Sequence, residues 1–399
     1  MSSQASFKIP IVDLRAQYSS LRDEVRQAID DVNDSQQFIL GPAVERFEDQ
    51  MANYLQCRYS IGVASGSDAL LLALMALGIG PGDAVITTPF TFFSTVSAIL
   101  RLGARPLFVD VEVHSCLISV DRIHEFLLQR VDTRHKQVVD KATKLNLTAI
   151  LPVHLFGRCC AMNELTALAQ QYRLKIVEDA AQACGARSLL AGEERFAGAM
   201  GDLGCFSFFP SKILGGFGDG GLVTTQHPDL AAKVRMLRMH GERTRYYHEA
   251  MGINSRLDAL QAAVLSVKQR FLERWCQSRI DKARAYFRLF QQSGLVANGF
   301  VTIPESSSDR SHVFNNYVVC AKRRDELKQF LSGHGIQSEI YYPLPLHLQS
   351  CFAHLGYKKG DFSVAESLAG QVLALPLYPE ITIEQQETVV TAVSAFYQS

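Results

Sequence analysis

A chain of 399 residues, 47% hydrophobic and 20% charged, can bury a large core and suits one large domain with a smaller one better than a single compact unit. Its 40 basic and 40 acidic residues cancel, so no global field favours nucleic acid or an acidic membrane, and any phosphate must be held by local devices. Nine cysteines, two of them adjacent at Cys159 and Cys160, show neither metal spacing nor a disulfide framework, and no stretch approaches the roughly 20 apolar residues of a membrane span; a soluble cytoplasmic protein with reduced thiols is expected.

The start, Met1 to Pro10, is polar without a long apolar core, as no secretory leader would be. Two helices follow, Leu14 to Asp31 and Val44 to Tyr54, separated by the turn Leu40-Gly41-Pro42. Short apolar runs then recur at Ser60 to Val63, Ala84 to Thr87, Pro106 to Val109, Ala149 to Val153, Lys175 to Val177, Cys205 to Phe208 and Gly221 to Thr225. Much of this stretch alternates with amphipathic segments such as Ala69 to Leu77 and Glu164 to Tyr172, which predicts a mostly parallel sheet sandwiched by helices. The charged stretch Asp132-Thr133-Arg134-His135-Lys136, within Arg130 to Asn146, breaks that rhythm and predicts an exposed loop insertion.

From about Leu257 to Gln292 a proline-free helical pattern bridges to a smaller C-terminal α/β domain, ending near a loop with Pro304 and Ser306-Ser307-Ser308. The smaller domain draws on Tyr317 to Val319, a helix Arg324 to His334, the segment Gln337 to Tyr342, and helices near Ala365 to Leu373 and Ile383 to Tyr397. A division into residues 1–265 and 266–399 is expected.

Lys212 closes the run Phe206-Ser207-Phe208-Phe209-Pro210-Ser211-Lys212, and Asp179 ends the earlier apolar run Val177-Glu178-Asp179. Both fall outside the carboxyl ends of strands, where ligands gather in open α/β sheets. An amine in a lined pocket with a carboxylate nearby is what pyridoxal 5'-phosphate (PLP) chemistry requires, a Schiff-base lysine and an acidic partner for the pyridine nitrogen. Burial would lower the amine's pKa and help it act as nucleophile and proton carrier.

Other residues extend the pattern. Ala64-Ser65-Gly66-Ser67-Asp68 joins a predicted strand to a helix, where backbone N–H groups suit a phosphate. Thr91-Phe92-Phe93-Ser94 could supply an aromatic face to a planar cofactor, one of its two rings being core. Gln182 could hydrogen-bond the cofactor's phenolic oxygen. Gly216-Phe217-Gly218-Asp219-Gly220-Gly221 satisfies the dinucleotide fingerprint in spelling, but a β-branched strand follows it, so it reads as a glycine-rich turn beside Lys212.

These residues together resemble the sugar aminotransferases of the DegT type, fold-type-I PLP enzymes (aspartate aminotransferase-like) that aminate keto sugars carried on nucleotides. The resemblance runs from Phe38-Ile39-Leu40-Gly41-Pro42 to Tyr342-Pro343-Leu344-Pro345-Leu346-His347. It implies that Lys212 forms the Schiff base, Asp179 pairs with the pyridine nitrogen, and Gln182 lies near the phenolic oxygen. Gly66, Ser67 and Ser207 would hold the phosphate, with Phe92 stacked on the ring. It further implies a homodimer in which Asn254 of one subunit completes the other's phosphate site, with glutamate as amino donor and pyridoxamine phosphate as intermediate.

Asn254-Ser255-Arg256-Leu257-Asp258, after His240-Gly241 and Arg245-Tyr246-Tyr247-His248, resembles members acting at carbon 3 more than carbon 4. Arg256 is then the candidate partner of a uronic carboxylate, and Tyr341 and Tyr342 are candidate sugar contacts. Tyr341 stands where that subgroup has histidine, which leaves a neutral 3-keto sugar on UDP or TDP open beside the UDP-linked 2-acetamido-3-keto class. A 4-keto sugar is a further alternative. Related dehydratases replace the lysine with histidine, so Lys212 argues against dehydration, and a regulator keeping only the fold would need no Schiff-base amine.

Overall fold

The computed structural model describes residues 8–132, 138–305 and 310–399. Seven principal strands carry the large sheet: β1 (Tyr59–Val63), β2 (Asp83–Thr87), β3 (Arg105–Phe108), β4 (Asn146–Ile150), β5 (Lys175–Asp179), β6 (Leu203–Ser207) and β7 (Gly221–Thr225). Their order is β1-β7-β6-β5-β4-β2-β3. Neighbours from β6 to β3 run parallel, and β7 is antiparallel to both β6 and β1. The carboxyl ends of β1, β5 and β6 therefore point the same way. Burial is near-continuous along β1, β6 and β7, as helices on both faces require.

A second core joins Ile280, Tyr286 and Phe290 of the helix Leu272–Gln292 to Tyr317, Val319, Leu373 and Leu375 and to Val389, Val393 and Phe396 of the helix Ile383–Gln398. A three-stranded antiparallel sheet, Val301–Thr302, Tyr317–Ala321 and Val372–Leu375, lies in it.

Several boundaries depart from the sequence expectation. The first helix is two, Leu14–Ser19 and Arg22–Ser35. Ser19 Oγ donates to Ala16 O at 2.8 Å and Ser20 Oγ to Gln17 O at 3.0 Å, side-chain bonds that compete with helix continuation. The long pattern from Leu257 likewise divides into Ala259–Gln269 and Leu272–Gln292, where Phe271 N turns back to Lys268 O. The run expected as a helix to Leu373 is a helix only over Ser363–Ala369; Gly370 follows, and the fully buried Val372–Leu375 pairs as a strand.

The charged insertion is not all loop. Its described flanks form the short antiparallel strands Val131–Asp132 and Val139–Asp140, the second joining β4, and Arg130 Nε pairs with Asp140 at 3.0 Å. Thr133-Arg134-His135-Lys136, Ser306-Ser307-Ser308 and the residues from Met1 to Phe7 lie outside the described residues. Among the described residues no helix is long and apolar enough to cross a membrane.

Candidate active site

Lys212 and Asp179 open onto one cavity of about 470 Å³, which Gly66, Ser67, Phe92, Gln182, Ser207, Tyr341 and Tyr342 also line. Each arrives from a strand end: the loop after β1 brings Gly66 and Ser67, β5 ends on Asp179, and β6 ends on Ser207 before the loop that carries Lys212.

The β1 loop turns directly into the helix Gly66–Ala76, whose N-cap Ser65 accepts Asp68 N–H at 3.1 Å. Gly66 is tightly apposed to β6. A Cβ there would lie 2.6 Å from Ser207 Cβ, so only glycine lets the helix N-terminus approach Ser207. Ser67 Oγ lies 2.6 Å from Ser94 Oγ. Hydroxyls and a helix N-terminus thus converge where an anion would be met by the positive end of the helix.

Asp179 is 5% exposed. Its Oδ2 accepts Thr95 Oγ1 at 2.8 Å and its Oδ1 accepts Ala181 N–H at 3.2 Å. Burial pushes its pKa up, while these donors and Lys212 pull it down. Such a carboxylate is ordered but under-compensated, and it gains from a cationic partner in the cavity. Glu178, one residue earlier, faces the other side of the strand. It accepts the backbone N–H groups of Gly198, Met200 and Gly201 at 2.6–2.8 Å and meets His154 Nε2 at 2.9 Å. Cys160 N–H donates to His154 Nδ1, which places the ring hydrogen on Nε2, toward Glu178.

The Lys212 amine has no hydrogen-bond partner among the described residues, and burial lowers its pKa to about 8, against the pull of Asp179. Its loop is pinned from several sides. Lys212 N bonds Phe209 O and Gly216 N bonds Phe208 O, both at 2.8 Å, while Lys268 Nζ donates to Gly215 O and Gln261 Oε1 accepts Phe217 N–H. A Cβ on Gly215 would sit 2.2 Å from Pro210 O. The glycine-rich segment runs into β7 with no helix following, as the turn reading expects.

Gln182 is clamped, its Oε1 accepting Phe156 N–H at 2.6 Å and its Nε2 donating to Tyr342 Oη at 3.3 Å. Burial, then Asp179, pushes the Tyr342 pKa up, so the phenol stays protonated. Neither phenylalanine is core, contrary to the expectation for one of them: Phe93 is 44% exposed although it stacks on Phe352 at 5.1 Å, and Phe92 is 56% exposed with its ring centroid 6.0 Å from Tyr342. An open aromatic face, a buried carboxylate, an unpartnered amine and a glycine-lined helix N-terminus fit a planar pyridine aldehyde bearing a phosphate.

Asn254 and Arg256 are not brought into this cavity by their own chain. Asn254 is exposed and bridges Met239, and buried Ser255 accepts Ala64 N–H at 3.1 Å, which anchors the segment beside the β1 loop. The helix begins at Ala259, so both residues lie in the segment before it. Sequence reasoning missed Thr95 and His154. Thr95 lies in the first turn of the helix Phe93–Arg101, four residues after Thr91, which precedes that helix, and a threonine pair just after a strand end was the available signal.

The sequence profile of the DegT/DnrJ/EryC1/StrS aminotransferase family matches residues 19–394. A Geobacillus stearothermophilus protein named pleiotropic regulatory protein is 42% identical over 390 residues, 98% of this chain and 99% of its own. An Acidithiobacillus ferrooxidans protein named UDP-N-acetyl-3-dehydro-alpha-D-glucosamine 3-aminotransferase is 40% identical over 385 residues, 96% of this chain and 97% of its own. The crystal structure of S. venezuelae DesV in complex with a ketimine intermediate matches with a TM-score of 0.88 at 39% identity, covering 98% of this chain and 99% of that one.

Proposed function

The chain belongs to the DegT/DnrJ/EryC1/StrS aminotransferase family, PLP-dependent transaminases of fold type I, and from that premise we propose that it moves the amino group of glutamate to a 3-keto sugar carried on UDP. The preferred acceptor is a 2-acetamido-3-keto hexose or hexuronic acid, made in the cytoplasm for surface polysaccharide or amino-sugar synthesis. The observation that carries this reading is the meeting of an unpartnered Lys212 amine, buried Asp179 and the Gly66–Ser207 approach in one cavity.

When bound, PLP supplies a ring that accepts electrons from the donor's α-carbon and a carbon that stores the amino group. Lys212 Nζ would hold the cofactor through its aldehyde and would carry the proton of the donor's α-carbon. Asp179 keeps the ring nitrogen protonated, a role for which two fixed donors hold its carboxylate in place. Gly66, Ser67 and Ser207 would hold the phosphate, Gln182 would serve the ring hydroxyl, and Phe92 would offer its face to the ring.

In this reading Asn254 and Arg256 serve the cavity of a second copy, in a homodimer. The exposure of Asn254 and the absence of both residues from their own cavity support it, as do the exposed Tyr246, Tyr247 and Met251 nearby. Residues 1–265 bind the cofactor and 266–399 form the smaller lobe. Tyr341 and Tyr342 face the sugar, and Arg256 takes a uronic carboxylate if one is present. The name of the Acidithiobacillus relative supports a UDP-linked 3-keto acceptor. The name of the Geobacillus relative suggests regulation instead, yet a binding module has no use for an unpartnered buried amine.

A panel of UDP- and TDP-linked 3-keto and 4-keto sugars, presented to the pyridoxamine phosphate form, tests the acceptor. Return of the cofactor's aldehyde form with UDP-linked 3-keto sugars supports the proposal. Return with 4-keto sugars alone contradicts it.

A further inference from the structure

Lys268, on the helix Ala259–Gln269, takes no part in lining the cavity that Lys212 and Asp179 share. It lines a separate cavity of about 300 Å³ with Tyr18, Pro210, Gly216 and Phe217. Its side chain is 3% exposed. Burial alone lowers its pKa, to about 8, and no carboxylate acts against that shift. Its Nζ donates to Gly215 O and lies 5.7 Å from the ring centroid of Phe217 and 6.0 Å from that of Trp275. A buried ammonium is costly unless it is paired or hydrogen-bonded, and here one carbonyl and two ring faces meet it.

That carbonyl belongs to the loop of Lys212, three residues further along. Gly215 is buried, and among the described residues no backbone N–H donates to its oxygen, so Lys268 keeps this acceptor paired. Gly215 is also where the loop doubles back. A Cβ on it would lie 2.2 Å from Pro210 O, and the next residue's N–H bonds Phe208 O at 2.8 Å. The same helix acts again beside it, because Gln261, seven residues before Lys268, accepts Phe217 N–H at 2.8 Å. Two side chains on one helix face thus grip Gly215 to Phe217, and Gly215 in turn backs Pro210, two residues before Lys212. Burial and Asp179 act on the charge of Lys212, and Lys268 does not. It reaches Lys212 through the backbone.

We propose that Lys268 is a positioning residue for Lys212, its bond to Gly215 O fixing the loop from which the Lys212 amine reaches the cofactor's aldehyde and the donor's α-carbon. The inference rests on the transaminase reading above. A misplacement of about 1 Å is enough to slow a reaction about a hundredfold. A loop whose buried carbonyl loses its donor moves to find another.

The test compares wild type with Lys268→Met, which keeps most of the stem and removes the donor, and with Lys268→Arg, which keeps a charged donor. Capture of PLP by each apoenzyme is followed by stopped-flow absorbance across pH. The loaded enzymes are followed in single turnovers over a range of glutamate concentrations. The methionine variant should capture PLP and react with glutamate about ten- to hundredfold more slowly, with the half-saturating glutamate concentration and the pH midpoint of capture unchanged. The arginine variant should recover most of both rates. A merely structural role would lower thermal stability and the fraction of loaded sites while each loaded site reacts as in wild type, and that result overturns the proposal. An arginine variant as slow as the methionine one overturns it too. Where Lys268→Met fails to fold, Lys268→Gln is read by the same measures. Slow capture in the variant, beside a wild-type cofactor band that glutamate leaves unmoved, would support the role of Lys268 and sink the transaminase reading.

Discussion

Thr95 Oγ1 donates a 2.8 Å hydrogen bond to Asp179 Oδ2, and Thr91 Oγ1 lies 3.1 Å from Thr95 Oγ1. All three side chains are buried. Water therefore does little to stabilise the Asp179 charge, and the hydroxyl pair stands in for it. A carboxylate held this way keeps one orientation toward the cavity.

Thr95→Val should weaken PLP binding to the apoenzyme by about ten- to hundredfold, because a bond to a buried charge contributes about 1.5–3 kcal/mol. Thr95→Ser should recover most of it. Titration of the apoenzyme with PLP measures both; equal affinity in the valine variant would separate Thr95 from the cofactor.

Gly66→Ala places a methyl 2.6 Å from Ser207 Cβ, between two backbones with little freedom to move. Overpacking of this kind costs about 1–3 kcal/mol, and it also pushes the helix N-terminus off the phosphate position. Lower thermal stability and reduced cofactor content are expected together. A loss of cofactor with no change in stability would mean that the approach is not strained.

Capture of PLP by the apoenzyme needs the neutral Lys212 amine. Burial lowers its pKa from 10.5 to about 8, so the capture rate should rise with pH and reach half its maximum near about pH 8. Asp179 pulls that pKa upward, and Asp179→Asn should therefore move the midpoint lower. Stopped-flow absorbance across pH reads both shifts, and a midpoint near that of a solvated lysine would contradict the buried amine.

Lys212→Ala and Asn254→Ala should each be inactive alone and regain activity when the two proteins are mixed and allowed to exchange subunits. In the proposed dimer, the mixed species would have one cavity with both its own lysine and the other subunit's asparagine. No recovery despite verified exchange would place Asn254 in the service of its own chain.

Much of the site was legible because its residues sit where strands end. An apolar run closing on Asp179, another closing on Ser207, and a helix opening at Gly66 locate a ligand from pattern alone. What stayed hidden depends on packing between distant segments. Ser19 and Ser20 break a helix that periodicity continues, and Val372–Leu375 pairs as a strand although its sequence extends a helical pattern. Lys268 reads as one more polar residue of a long helix until the Gly215 carbonyl meets it. Thr95 looks like a helix residue until β5 brings Asp179 alongside.

The most direct measurement follows the cofactor's visible absorbance in single turnovers with glutamate, for wild type and for Lys212→Ala reconstituted with PLP. The expected result is loss of the band in wild type, its return on adding a UDP-linked 3-keto sugar, and a lysine variant that does neither at a comparable rate. A wild-type band unmoved by glutamate, or a variant that turns over as fast, would contradict a Lys212-centred transaminase.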